Sequence, residues 1–208
     1  MGHREDLLEG AKRCLHEKGY ARTTARDIVA ASGTNLASIG YHFGSKEALL
    51  NAALIEAITD MGNELIRTST KDMAGPRAAD LARGWDKVIA RFAEYRPLLV
   101  AQLEAWAQLE RSPELREELA NRYEQDRAMG VEVAQQAVPS LDERTARALA
   151  AVTSAIADGL VVQWLLDPER APDGSELVLG LQALTSVLTG TPSTDTPAPG
   201  DSVESSGT

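Results

Sequence analysis

The segment TNLASIGYHFGSKEALL, residues 34–50, gathers groups that bind phosphate. Asn35 and Ser45, ten residues apart, are side chains of the type that accepts hydrogen bonds from the free N–H groups of a helix start. Gly44 lies between them, and Tyr41, His42 and Lys46 crowd the same junction. Hydroxyls, cations and helix N-termini all receive anions, so this spacing suits phosphate contact rather than bond making. Catalytic and metal chemistry have little to build on. The three histidines, His3, His16 and His42, lie within the first 42 residues and lack metal-ligand spacing. No G-x-S-x-G, G-x-x-x-x-G-K or G-x-G-x-x-G motif occurs. Carboxylates are plentiful but fall mainly on polar helix faces such as 114–126, where they are solvated. No catalytic residue, metal site or cofactor is expected.

The elements that must position this junction read as helices throughout, with no alternating half-buried strand. Segment 4–18 places Leu7, Leu8, Ala11, Cys14 and Leu15 on one face, and Gly19 stops it. Thr24 with Asp27 forms a variant capping box that opens a short helix ending at Gly33. Asn35 opens a helix over 36–43, and Ser45 opens a longer one with Leu49, Leu50, Ala53, Leu54, Ala57 and Ile58 on one side. Farther on, Pro76 stands at a first-turn position, and Leu81, Trp85, Val88, Ile89 and Phe92 keep a helical period. Tyr95-Arg96-Pro97 is expected to break that helix. Leu99, Gln102, Leu103, Trp106 and Leu109 form the next stripe. Ser112-Pro113-Glu114 opens a helix to about 138, Ser140 with Glu143 one to about 166, and Asp173 with Glu176 a last one to about 189.

Composition sets the outer limits. The 208 residues are 43% apolar and 25% charged, ordinary for a globular chain. The single cysteine excludes an internal disulfide and fits a reducing, cytoplasmic setting. The charged N-terminus is unlike a signal peptide, and the most apolar stretch, 151–166, is interrupted by Asp158 and Gln163 and reads as too short for a membrane span. Net charge is −10, yet residues 1–50 carry seven Lys/Arg against six Asp/Glu, so the acidity belongs to the rest. A phosphate-binding head on an acidic body suppresses indiscriminate association with nucleic acid.

Two short helices around Gly33-Thr34-Asn35 have the spacing of a helix-turn-helix, whose second helix enters the DNA major groove. The run from Gly19-Tyr20 through Thr23-Thr24, Ile28 and Gly33 to Tyr41-His42-Phe43 and Ser45-Lys46-Glu47-Ala48-Leu49 resembles the N-terminal domain of TetR-family transcriptional regulators. The resemblance covers about residues 4–55, and 158–168 is similar to the family's penultimate helix. It implies an all-α fold of about nine helices. Beside a tail, 191–208, that its Pro, Ser, Thr and Gly mark as disordered, the resemblance gives a three-helix DNA-binding domain (1–50) and a ligand-binding and dimerisation domain (51–190). It also implies a homodimer that a small molecule releases from double-stranded operator DNA. Carried over by position, Asn35 would cap the reading helix and reach a phosphate. Leu36, Ala37, Ser38 and Gly40 would face bases, and Tyr41, His42 and Lys46 would touch the backbone, as would Thr23 or Thr24 from the preceding helix start. Ile28, Ile39 and Phe43 would form the small core. Gly40 departs from the family, which often has an aromatic there; it serves either close approach to DNA or relief of a clash with the first helix. The reading helix contains no Arg, so bidentate guanine readout from within it is unavailable.

The remaining signals stay open. Trp85, Trp106, Tyr123 and Trp164 are either core or pocket lining, as is Phe92. Gln102, polar on an apolar stripe, faces a ligand or satisfies backbone. Arg91, Asp126 and Asp158 are weaker ligand candidates. The last two helices, about 142–166 and 174–189, are apolar on nearly every side, which suits a core or an isologous dimer interface, the latter preferred. The leading expectation is a ligand-responsive transcriptional repressor, acting as a cytoplasmic homodimer away from membranes; the alternative is a helical small-molecule carrier without DNA-binding activity.

Overall fold

The computed structural model describes residues 3–71 and 77–190. Pro76 and the tail 191–208 therefore lie outside the described residues. Eight helices occur in chain order: α1 (His3–Lys18), α2 (Ala25–Ser32), α3 (Leu36–Phe43), α4 (Lys46–Thr70), α5 (Ala78–Trp106), α6 (Pro113–Ala137), α7 (Glu143–Leu166) and α8 (Gly174–Thr189). No strand is present among the described residues.

Two expectations are corrected. Tyr95-Arg96-Pro97 does not break the chain: α5 runs through Pro97, which removes one helical hydrogen bond but not the packing of Phe92, Leu98 and Leu99, all buried. That fusion gives eight helices among the described residues, against about nine expected. The cap of α7 is Asp142, not Ser140: its carboxylate accepts the Thr145 N–H at 3.0 Å. The other caps stand as read, with Thr24, Asn35, Ser45, Ser112 and Asp173 each accepting from the N–H three residues on.

Helices α1–α3 wrap around Leu7, Ala11, Leu15, Ile28 and Ile39, and α4 closes this head with Leu49, Leu50 and Leu54. Helices α1 and α2 touch closely enough that a Cβ on Gly10 would lie 2.7 Å from Ser32 Cβ. Phe43 is only half-buried and carries the Arg4 guanidinium 5.2 Å from its ring centroid. The same apolar cluster continues along α4 into the body, where Phe92 of α5 meets Trp164 of α7 edge-on at 5.6 Å. Helix α5 packs on α4 and α8, and α6 on α7 and α4. The residue-50 boundary expected between domains falls inside α4.

By length and composition, α7 is the one helix among the described residues that could cross a membrane, so the estimate made from 151–166 alone was too short. It packs along α6, and its Asp158 accepts the Tyr123 hydroxyl at 2.6 Å. Leu149, Val152 and Leu166 of α7, and Leu179, Leu184, Val187 and Leu188 of α8, are exposed. A single chain thus leaves uncovered much of what the two helices were expected to bury.

Candidate nucleic-acid interface

Three helix N-termini surround the junction: those of α2, α3 and α4. At the first, Thr24 and Asp27 form a full capping box. The Thr24 N–H and hydroxyl donate to Asp27 Oδ2 at 2.9 and 2.7 Å, and the Asp27 N–H donates back to Thr24 Oγ1 at 3.2 Å. Lys18 adds an ion pair to the other carboxylate oxygen at 2.6 Å. This Lys18 hydrogen bond, followed by those from Thr24, holds Asp27 far below the usual carboxylate range. At the second, Asn35 Oδ1 accepts the Ser38 N–H at 3.1 Å. At the third, Ser45 Oγ accepts the Ala48 N–H at 3.0 Å. The left-handed backbone of Gly33 (φ 69°) and the positive φ of Gly44 (79°) make the sharp turns out of α2 and α3.

The expected contact residues divide sharply. Leu36, Ala37, Gly40 and Tyr41 are exposed, with Tyr41 at 86%, and Ser38 and His42 are half-buried. Tyr41 and His42 stack edge-on at 4.8 Å, so each orients the other while the tyrosine projects into solvent. Thr24 and Asn35 are exposed. Of the alternatives Thr23 and Thr24, Thr23 is buried: its hydroxyl donates to Gly19 O at 2.7 Å and is 3.3 Å from Cys14 O, so it ties the end of α1 to the start of α2, which leaves Thr24 as the exposed one. Lys46 lies partly inside, its Nζ 3.4 Å from Thr23 O and 3.2 Å from Glu47.

Gly40 resolves one alternative. A Cβ at this position would meet nothing within 4 Å, so the glycine relieves no clash with α1. Gly40 is exposed, as are Leu36 and Tyr41 on the same helix. Two exposed cations that spacing did not single out, Arg22 and Arg26, flank the cap at Thr24; a cation next to an N-cap is the signal that could have found them.

The body residues are less convergent. Trp85, Gln102 and Trp164 are buried, and Trp106 and Tyr123 are half-buried. Burial, then the Asp158 hydrogen bond, raises the Tyr123 pKa, and burial also raises that of Asp158. None of the five lines either of two surface hollows, one of about 450 Å³ between α1, α4 and α5, the other of about 250 Å³ beside the α1–α2 turn. Arg91 is spent on Glu94 at 2.8 Å and on the Tyr95 ring, and Asp126 pairs with Arg122. Arg122, buried on α6, went unnoticed in the sequence because its neighbours on 114–126 are solvated.

Comparison with known proteins accords with this geometry. Residues 7–53 match the family of bacterial regulatory proteins, tetR family, and residues 76–190 match the tetracyclin repressor-like C-terminal domain. A 52-residue stretch is 42% identical to the HTH-type transcriptional repressor AcnR of Corynebacterium efficiens, covering 25% of this chain and 28% of that protein. The chain thus matches little more than a quarter of that repressor's length. The HTH-type transcriptional regulator BetI 2 of Chromohalobacter salexigens is 25% identical over 190 residues, 89% of this chain and 88% of that one. Among solved structures, the multidrug binding protein EbrR complexed with imidazole is similar with a TM-score of 0.62 at 25% identity, over 87% of this chain and 95% of that one. Matched at both its head and its body, the chain belongs to the TetR family of DNA-binding, helix-turn-helix transcriptional regulators.

Proposed function

We propose that this regulator is a repressor that grips a pseudo-palindromic operator as a homodimer and is released by a small-molecule effector. The observation that carries the reading is the surface of α3: an exposed, apolar, glycine-flattened face bracketed by capped helix starts. Residues 1–50 act as the head and 51–190 as the body. Thr24, Asn35, Tyr41, His42 and Lys46, with Arg22 and Arg26, hold phosphates, which set register. Lys46 leaves its present carbonyl partner to do so. Leu36 and Ala37 meet thymine methyls, Ser38 supplies a hydroxyl, and Gly40 lets the helix backbone approach the base edges.

The uncovered leucines and valines of α7 and α8 support dimerisation, because an apolar patch of this kind on a free chain marks an association surface. The effector enters the body among Trp85, Gln102, Trp106, Tyr123 and Trp164, which must part to admit it; the imidazole-bound EbrR structure supports a small-molecule role for such a body. The protein works in the cytoplasm, away from membranes, and carries out no catalysis.

Fluorescence polarisation with labelled DNA from upstream of the protein's own gene, against unrelated DNA at two salt concentrations, tests the reading. Tight binding to the first alone, weakening as salt rises, is the expected result. Equal or absent binding to both at low salt would favour a small-molecule carrier.

A further inference from the structure

Arg122 is the one arginine among the described residues that is buried, at 6% exposure, and it is buried against the helix that carries the head. Its Nε donates to Thr59 Oγ1 of α4 at 2.7 Å, and its Nη2 lies 3.4 Å from Ile58 O, one residue earlier on the same helix. Asp126, one turn along α6, pairs with the remaining nitrogen. The Thr59 hydroxyl is used fully, since it also donates to Ile55 O at 2.7 Å. The helix has a socket for this group. A Cβ on Gly62 would lie 2.8 Å from Arg122 Nη2, with no other atom close by. A glycine inside α4 weakens the helix relative to alanine, and admitting the guanidinium is the packing reason the structure offers for it.

A buried charged group of this kind contributes little net stability, because desolvation offsets its attraction to Asp126. Its hydrogen bonds are directional, so it fixes relative position instead. Helix α6 lies along α7, and α7 is part of the proposed dimer surface. Helix α4 begins at Lys46, directly after the α3–α4 turn. The guanidinium therefore joins the frame that sets the two-fold axis to the lever that carries the reading helix. From Thr59 to Lys46 that lever is about 20 Å long at 1.5 Å per residue. A tilt of about 10° at the pin moves α3 by ~3.5 Å, close to the rise of one base pair.

We propose that Arg122, seated against Thr59 and Gly62, is a positioning residue that determines which half-site spacing the dimer accepts. This rests on the two-headed operator reading above. The half-site sequence is read by α3, whereas the distance between half-sites is set by the angle of α4, so the pin affects the second and not the first.

The test is selection from random DNA by the full-length protein, scoring half-site sequence and spacing separately. Wild type should select one half-site at one spacing. Arg122→Met, which keeps volume but no donors, and Gly62→Ala, which displaces the guanidinium, should keep the half-site sequence. Both should lose preference for the best spacing over its neighbours by about fivefold or more. Gly62→Ala decides the matter if Arg122→Met fails to fold, since alanine strengthens the helix. Unchanged spacing preference in a folded, dimeric Gly62→Ala protein would overturn the proposal. Wild type selecting no sequence at all would instead overturn the operator reading, and this one with it.

Discussion

At residue scale, Gly40 and Thr23 illustrate how a side chain's job depends on what lies beside it. A glycine in an exposed helix face, with open space where its Cβ would stand, weakens α3 and improves no packing. Gly40→Ala should therefore raise the protein's stability by roughly 0.5–1 kcal/mol in thermal denaturation while weakening operator binding in the polarisation assay. A rise in both, or a fall in both, would argue against close approach. Thr24 is marked as a cap by Asp27 three residues on, whereas nothing local marks Thr23. Only the fold shows the Thr23 hydroxyl turned in to the end of α1. Asp27 makes a pH prediction. Its pKa is depressed in the folded state by Lys18 and Thr24, so its stabilising contribution is complete above the ordinary carboxylate range and is lost as pH falls below it. Asp27→Asn should melt earlier than wild type at neutral pH, and the gap between the two should begin to narrow only as the solution is acidified below pH ~4, closing well below that.

The helices themselves were legible because each begins on a residue with a chemical reason to be there. Caps at 24, 35, 45, 112 and 173 each satisfy a free N–H, and that need is local, so sequence carries it. Two readings differ from the structure, one because an equally local cap, Asp142 to Thr145 N–H, takes the place, and one because the core outweighs a local preference. Asp142 displaced Ser140 as a cap by two residues. Pro97 was absorbed into α5 because Leu98 and Leu99 gain more from the core than the missing hydrogen bond costs. Its ring still leaves the Ala93 carbonyl without a helical donor. Pro97→Ala should consequently stabilise the protein by about 1–3 kcal/mol, read from denaturant midpoints at constant slope. The body's binding residues were the least legible. Aromatic residues at helical spacing look alike whether they fill a core or line a pocket, and Trp85 and Trp164 are core in this state.

At the scale of the whole molecule, charge and apolar surface are unevenly distributed. The head is close to neutral and the body strongly acidic, which favours approach to a duplex head first. The apolar surface lies on α7 and α8. Val187→Glu, at a position 79% exposed in the single chain, should leave the fold intact and convert the dimer to monomer in analytical ultracentrifugation, with operator affinity falling alongside. A variant that stays dimeric would move the interface elsewhere. One further contact joins the head to the body. Ala21 lies in the exposed turn between α1 and α2, yet its N–H donates at 3.0 Å to Glu104 near the end of α5, 83 residues away. An amide in such a turn ordinarily exchanges with solvent deuterium almost as fast as in a free peptide. Here its exchange is tied to the docking of α5, so one protected proton becomes a clock for how often the head comes loose from the body.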